Sequence, residues 1–273
     1  MSRAPAVDLP EDVWLRFLDE AVRGIEEAAR EVNSAERRPH YEARTGWFGK
    51  AIKARKGTRF PDETSISKAL VEVMDEMRAE QFIAAPALDP GMPDLTRMDF
   101  HVEVDRRYDA AIGPKAQPTD IQIAIHRDRL DLRIEAKKVK AEPEIKADYL
   151  GSQGLERFDN VNAPYSLERF GGMVAYVLDR SAAEWAGLIA DELRTKLPAD
   201  QIAQTQLSGG SFMTSIHVRD VDLKLHAVRG RFRTDVIHLV FEFEALPSLR
   251  AAPPVETAAV PAKRRRRKAD VSP

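Results

Sequence analysis

The chain contains no cysteine. This excludes disulfide bonds, thiol catalysis and thiolate metal sites, so any metal ion must be held by oxygen or imidazole ligands. The chain also lacks an apolar run of about 18 residues, the length that a transmembrane helix requires, and its N-terminus has no hydrophobic signal core. A Gly-rich phosphate loop and the HExxH and GxSxG motifs are missing too. The missing apolar run and the missing signal core predict no membrane partner, and we expect a cytoplasmic protein. The lack of cysteine is neutral about the compartment.

The composition is that of a globular protein: 43% of the 273 residues are hydrophobic and 32% are charged. This length corresponds to one or two domains. The net charge is −2, and Lys263–Lys268 (KRRRRK) contributes six positive charges, so the remainder of the chain carries −8. The composition therefore excludes a uniformly basic nucleic-acid coat and indicates local basic patches.

Hydrophobic periodicity predicts an α/β (α+β) fold, with a central mixed sheet flanked by helices and an N-terminal helical extension. The helical segments are 11–32, about 63–78, about 145–158 and 182–197. The strand segments are 100–105, 120–126, 130–139, 172–178, 216–225 and 236–243. We expect three units: residues 1–60 (helix and basic segment), 61–246 (the central domain) and 247–273 (a disordered basic tail rich in Pro and Ala).

The segment from Asp120 to Lys137 reads as a hairpin with a two-residue connection at Arg127-Asp128. In the only register that keeps its apolar residues on one face, Ile121 opposes Ile134. Asp120 and Glu135 then face each other on the other side of the hairpin, with Lys137 two residues further along. Two carboxylates and an ammonium therefore meet at one edge of the sheet.

This trio suits metal-assisted hydrolysis of a phosphodiester. Carboxylates are hard oxygen ligands for Mg²⁺, with Mn²⁺ as the alternative ion, and an ammonium can orient or deprotonate the attacking water. Glu63 opens the second helix on the stripe that faces the sheet, so it is a candidate third metal ligand. The alternative is an acid that the dipole of the helix favours at its N-terminus.

The acid-x-Lys pattern occurs three times, and only one copy has a partner strand carrying a second acid. That copy is Glu135-Ala136-Lys137, and the others are Glu144-Ile145-Lys146 and Asp222-Leu223-Lys224. The alternative for the first copy is an exposed charged face on an antiparallel strand.

Asp120, thirteen further residues and then IEAKKV (134–139) resemble the PD-(D/E)xK nuclease superfamily, whose fold includes restriction endonucleases. Thr119 stands where many members have proline, a position that varies widely in the superfamily. The sequence that follows this motif resembles a bacterial subgroup of uncharacterised nuclease-like proteins. The matching pieces, over roughly residues 60–245, are Tyr149, GLERF (154–158), Tyr165, GGMVAYVL (171–178), SIHVR (215–219) and Leu225-His226.

The resemblance implies a Mg²⁺-dependent nuclease in which Asp120 and Glu135 bind the metal ion and Lys137 is the catalytic lysine. Glu63 matches an acid that some members carry on the first helix. The expected substrate is DNA rather than RNA, cut as an endonuclease, with a role in defence against foreign DNA. A second copy of the chain or a partner protein of a defence system is a further expected partner.

Several basic residues are candidates for nucleic-acid contacts. They are Lys50, Lys53, Arg55 and Lys56 in a basic segment, Arg157 with Gln153 one turn earlier, and Arg264 and Arg265 in the tail. The alternative for the basic segment is a solvated loop that covers the core with Trp47. The alternative for Arg157 is a structural salt bridge, and the alternative for the tail is a merely soluble terminus. For Tyr149 and Tyr165 we expect packing rather than stacking on bases. The histidines at 217, 226 and 238 lack zinc-type spacing.

The sequence is also compatible with two rival functions. The same fold could be a non-catalytic nucleic-acid-binding module of a larger complex, or a structural protein in which the charges of the hairpin have no chemical role.

Overall fold

A computed structural model describes residues 9–49, 58–84, 91–104, 119–162, 164–223, 228–243 and 246–247. The helices are α1 (Glu11–Val32), α2 (Arg38–Glu42), α3 (Glu63–Ala84), α4 (Glu142–Glu144), a π-helical turn (Ile145–Tyr149), α5 (Ala182–Lys196), and two 3₁₀ helices (Leu155–Asp159, Ala199–Gln201). The strands are β1 (Thr58–Arg59), β2 (Asp99–Val104), β3 (Thr119–Ile125), β4 (Leu130–Val139), β5 (Phe170–Val177), β6 (Ile202–Leu207), β7 (Gly210–Leu223), β8 (Val228–Glu242) and β9 (Leu246–Pro247).

Seven strands form one mixed sheet in the order β2-β3-β4-β5-β8-β7-β6. β5 runs parallel to both β4 and β8, and the other neighbours are antiparallel. Helices cover both faces of this sheet. The predicted fold class, a mixed sheet flanked by helices with an N-terminal helix, is therefore confirmed.

The β3–β4 hairpin has the predicted register, with Ile121 opposite Ile134 and Ile125 opposite Leu130. The predicted two-residue connection is wrong, because the turn spans four residues, His126 to Arg129. Two-residue hairpin turns require positive φ at one or both central positions and therefore favour Gly or Asn, which Arg127-Asp128 does not supply. Here it is Arg129 that takes the left-handed conformation, with φ of 60°.

Two apolar clusters lie on the two sides of the sheet. The first joins α1 and α3 to β3 and β4, and Trp14, Leu18, Leu70 and Ile134 are among its buried members. The second packs the β4–β5 connection and α5 against the sheet, around residues that include Tyr149, Phe158, Tyr165, Met173 and Trp185. The N-terminal helix thus shares a core with the sheet, while the division of the chain at residue 60 stays a prediction.

The hydrophobic periodicity predicts most of the helices and strands that the structure shows. The differences lie at the ends of elements and at the edge of the sheet formed by β6. The second helix continues to Ala84 rather than 78. The 145–158 segment, predicted as a helical stretch interrupted by glycine, is a π-helical turn and a 3₁₀ helix. Strand β6 was not predicted, because its residues are mostly half-exposed and show no apolar alternation. Pro247 pairs with Thr58 instead of starting a disordered tail, and residues 248–273 lie outside the described residues.

Close backbone approach explains one glycine of the GGMVAYVL segment. A Cβ atom at Gly171 would lie 2.5 Å from Cε1 of Phe158, which is fully buried. We predict that Gly171→Ala lowers the free energy of unfolding by about 1–3 kcal/mol, the usual cost of overpacking a core, measured by urea denaturation.

The matched control is Gly187→Ala on α5, where a Cβ atom meets nothing within 4 Å. Alanine is the better helix former, so this variant should gain roughly 0.5–1 kcal/mol. Equal effects of the two substitutions would contradict the packing argument.

Candidate active site

The predicted site residues come together where β4 meets β3 and α3. Oδ2 of Asp120 accepts a hydrogen bond from the backbone N–H of Ala136 at 2.8 Å. Nζ of Lys137 donates to Oε1 of Glu135 at 2.5 Å and lies 3.6 Å from Oε1 of Glu63. Four side chains from three elements therefore form one cluster, as the hairpin register and the helix stripe predicted.

Glu135 is the fully buried centre of this cluster. One carboxylate oxygen pairs with Lys137, and the other pairs with Nη1 of Arg157. A buried carboxylate requires such pairing, because it has lost its hydration. Glu135 thus does not lie on an exposed charged face, which was the alternative for this motif.

Glu63 reaches the sheet from the first turn of α3. Its Oε2 accepts from the backbone N–H of Lys138 at 2.7 Å, and its side chain remains 31% exposed. The carboxylate therefore fastens the start of α3 to the end of β4 and lies beside Lys137.

The pKa values of Asp120 and Lys137 are both raised in the cluster, which favours a neutral Asp120 and a charged Lys137. Burial, together with the charge of Glu135, raises the pKa of Asp120 to about 7, although Lys137 and the bond from Ala136 act the other way. Burial alone would lower the pKa of Lys137, but the carboxylates of Glu135, Glu63 and Asp120 outweigh it and raise that pKa. Lys137 is therefore an ammonium at neutral pH, able to donate hydrogen bonds and not to act as a base.

Carboxylate oxygens are ligands that a hard divalent cation accepts, and the carboxylates of Asp120, Glu135 and Glu63 all lie around Lys137. Within the described ranges, however, no three Asp, Glu or His side chains already stand together as a group that could hold a metal ion. The cations explain this, because Lys137 and Arg157 take both oxygens of Glu135. A metal ion bound by Glu135 would have to take over one of these oxygens.

Arg157 adopts the salt-bridge arrangement that was the alternative to a phosphate clamp. Its guanidinium carbon lies 4.6 Å from the centre of the Tyr165 ring. Its second terminal nitrogen, Nη2, is buried without a hydrogen-bond partner among the described residues. The sequence marked Arg157 as basic but carried no signal that its partner is Glu135.

The other predicted contact residues divide into two sets. Gln153 is exposed one turn before the 3₁₀ helix. The rest lie outside the described residues, namely Lys50, Lys53, Arg55, Lys56, Arg264 and Arg265. Trp47 is buried and stacks on Tyr41 with 5.3 Å between ring centres, so the segment before Lys50 covers the core as the alternative expected.

The expected packing of the tyrosines is confirmed. Tyr149 and Tyr165 are both fully buried, and Tyr165 donates to the carbonyl oxygen of Ile134 at 2.9 Å. His217 and His238 are buried in the sheet, and residue 226 lies outside the described ranges.

Comparison with protein-family models, with curated proteins and with solved structures gives no match. In the described part of the chain, no helix combines the length and the apolar character needed to cross a bilayer. The chemistry of the cluster and the resemblance in its sequence are therefore what a functional proposal rests on.

The raised pKa of Asp120 generates a stability prediction. Between about pH 4 and 7 the folded chain keeps a proton on Asp120 that the unfolded chain has released, because the pKa is about 7 in the fold against a usual 3.8. The free energy of unfolding therefore falls as the pH rises through this window, and the full penalty is present above pH 7. Asn at this position keeps the acceptor for Ala136 and cannot ionise.

We predict that Asp120→Asn raises the free energy of unfolding at pH 8, without divalent ions, by roughly 2–4 kcal/mol, since one pKa unit is worth about 1.4 kcal/mol. At pH 4 the two proteins should be nearly equal. Urea denaturation at both pH values measures the difference, and a destabilised variant at pH 8 would refute the burial argument.

Proposed function

We propose that this protein is a metal-dependent nuclease that hydrolyses phosphodiester bonds of DNA. The observation that carries the proposal is the cluster of Asp120, Glu135, Lys137 and Glu63 where β3, β4 and α3 meet. The sequence resemblance to the PD-(D/E)xK nucleases supports the same reading, since it assigns metal and catalytic roles to these residues. In this proposal the protein acts in the cytoplasm, in defence against foreign DNA, as a homodimer or with a partner protein.

Asp120 and Glu135 would hold Mg²⁺ or Mn²⁺, with Glu63 as a third ligand directly or through water. When bound, the cation lowers the pKa of a coordinated water and neutralises charge on the phosphate. Among these carboxylates, Asp120 is the one that would exchange a proton for a cation near neutral pH, because its pKa is about 7.

Lys137 would act as a hydrogen-bond donor in the site. Its raised pKa makes the ammonium a donor to the attacking water and to the oxygens of the pentacovalent phosphorus, where negative charge develops.

A non-catalytic nucleic-acid-binding module is the second candidate. The observation that favours it is the complete pairing of Glu135 by two cations, which is also how a site without metal would satisfy a buried carboxylate. The two candidates differ in whether the cluster binds a divalent ion and cuts DNA.

The sharpest test compares two lysines in the same acid-x-Lys pattern. Lys137 is buried in the cluster, and Lys146 is exposed. With Mn²⁺ or Mg²⁺ we predict that Lys137→Met lowers the rate of DNA cleavage by about 10²–10³-fold, the usual loss of one transition-state donor. Lys146→Met should cut like the wild type in a gel assay on supercoiled plasmid.

Circular dichroism and thermal melting establish that both variants are folded. Equal cleavage by the two variants would refute the catalytic role of Lys137. A wild type that binds DNA but neither cuts it nor binds Mn²⁺ in calorimetry would favour the binding module.

The proposal also predicts the pH profile of cleavage. Asp120 must lose its proton to ligate a cation, and its pKa is about 7, so cleavage at limiting Mg²⁺ should rise from pH 6 to pH 8. Saturating metal should shift the midpoint to lower pH, because the cation competes with the proton. Initial rates across this range measure both effects, and a flat profile at limiting metal would contradict the assignment.

A further inference from the structure

A continuous row of buried polar groups crosses the second apolar cluster, behind the candidate active site. It runs from Asp159 to His217 (Oδ1 to Nδ1, 2.7 Å), from His217 to Ser215 (Nε2 to Oγ, 2.9 Å), from Ser215 to His238 (Oγ to Nε2, 2.9 Å) and from His238 to Tyr149 (Nδ1 to Oη, 3.0 Å). We call these five residues the polar chain. They come from the 3₁₀ helix Leu155–Asp159, β7, β8 and the π-helical turn.

The protons of the polar chain fall into one consistent order. The Asp159 carboxylate only accepts, so the Nδ1–H of His217 donates to it. For a neutral His217, Nε2 then accepts from the hydroxyl of Ser215, which in turn accepts from Nε2–H of His238. Burial and the neighbouring His217 lower the pKa of His238 to about 3, so this ring is neutral and its Nδ1 accepts from Tyr149. Each of the five side chains of the polar chain thereby has a hydrogen-bond partner.

The order Ser215, His217, Asp159 has the hydrogen bonds of a hydrolytic triad, but burial excludes that role. Ser215 is fully buried, and its hydroxyl contacts both histidines. A substrate has no approach to it. The polar chain is thus a structural connection, and its one exposed end is Asp159, whose side chain is 52% exposed.

Asp159 ends the same 3₁₀ helix that carries Arg157. Between them, Phe158 packs against Tyr165 with 4.9 Å between ring centres. The helix is short, so its orientation depends on these outside contacts rather than on its own hydrogen bonds. The bond from His217 to Asp159 therefore fixes the end of the helix while Arg157, two residues earlier, pairs with Glu135.

We propose that Asp159 and His217 are positioning residues, which hold Arg157 against Glu135 through the polar chain. The part of this inference that concerns catalysis rests on the proposed nuclease function. Because the contact between Arg157 and Glu135 exists irrespective of any reaction, the positioning itself can be measured without activity.

The first measurement is the rotation of the Arg157 guanidinium about its Cζ–Nε bond, observed by ¹⁵N NMR in the full chain. Asp159→Ala removes the acceptor for His217 at a half-exposed position, so it leaves no buried charge behind. We expect it to accelerate the rotation by about tenfold, as for the loss of a charge-assisted hydrogen bond. Asp159→Asn keeps an acceptor oxygen and should stay close to the wild-type rate.

Thr214→Val is the matched control. Thr214 is the residue before Ser215, and its hydroxyl is buried. This hydroxyl bonds to that of Thr205 at 2.8 Å and does not belong to the polar chain. This variant should leave the rotation of Arg157 unchanged. A folded Asp159→Ala protein with wild-type rotation would overturn the proposal.

The second measurement is DNA cleavage in a double-mutant cycle. Asp159→Ala should lower kcat by about tenfold with little change in KM, and Asp159→Asn should restore it. In an Arg157→Ala background the Asp159→Ala change should have no further effect, because the two residues act through one contact. Additive losses would show a general structural role and refute the positioning. If the wild type does not cut DNA while the NMR response appears, the nuclease proposal fails and the positioning stands.

Discussion

The buried carboxylate of Glu135 is the constraint on which the arrangement of the site depends. A charge without water requires close counter-charges, and removing either partner would leave an uncompensated ion in the interior. Lys137 comes from the same strand, but Arg157 comes from a short helix in the connection between β4 and β5. The fold must therefore hold that connection firmly over β4. The packing of Phe158 and the hydrogen bond at Asp159 accomplish this.

The topology of the sheet explains why so many groups reach one strand. β4 pairs antiparallel with β3 on one side and parallel with β5 on the other. The antiparallel side brings Asp120 in through a short turn. The parallel side requires a long crossover, and here the crossover carries both Arg157 and Tyr165 back to β4. An all-antiparallel meander would have supplied the first contact and not the second.

Sequence reasoning could predict the part of this site that follows from local periodicity. Alternation in two adjacent segments gives the hairpin register, and the 100° step of a helix directs Glu63 towards the sheet. The parallel pairing of β5 with β4 and β8 joins segments distant in sequence, and no period in the sequence reports it. The partner of Arg157 depends on this long-range pairing, because the crossover between β4 and β5 carries it. The alignment of Ser215 with His238 depends instead on the antiparallel pairing of β7 with β8. The half-exposed edge strand β6 was missed because its burial is set by its neighbours.

The charges and the burial of the cluster explain why one of its carboxylates binds a proton near neutral pH. Asp120, Glu135 and Glu63 contribute three negative charges, and Lys137 and Arg157 contribute two positive ones, which leaves one negative charge in excess. Glu135 has both cations in contact, whereas Asp120 accepts a backbone N–H and senses Lys137 without a direct bond. Burial, together with the charge of Glu135, therefore raises the pKa of Asp120 to about 7. Near neutral pH a single proton on Asp120 neutralises the cluster. Glu135, paired by both cations, keeps the framework of the site in place.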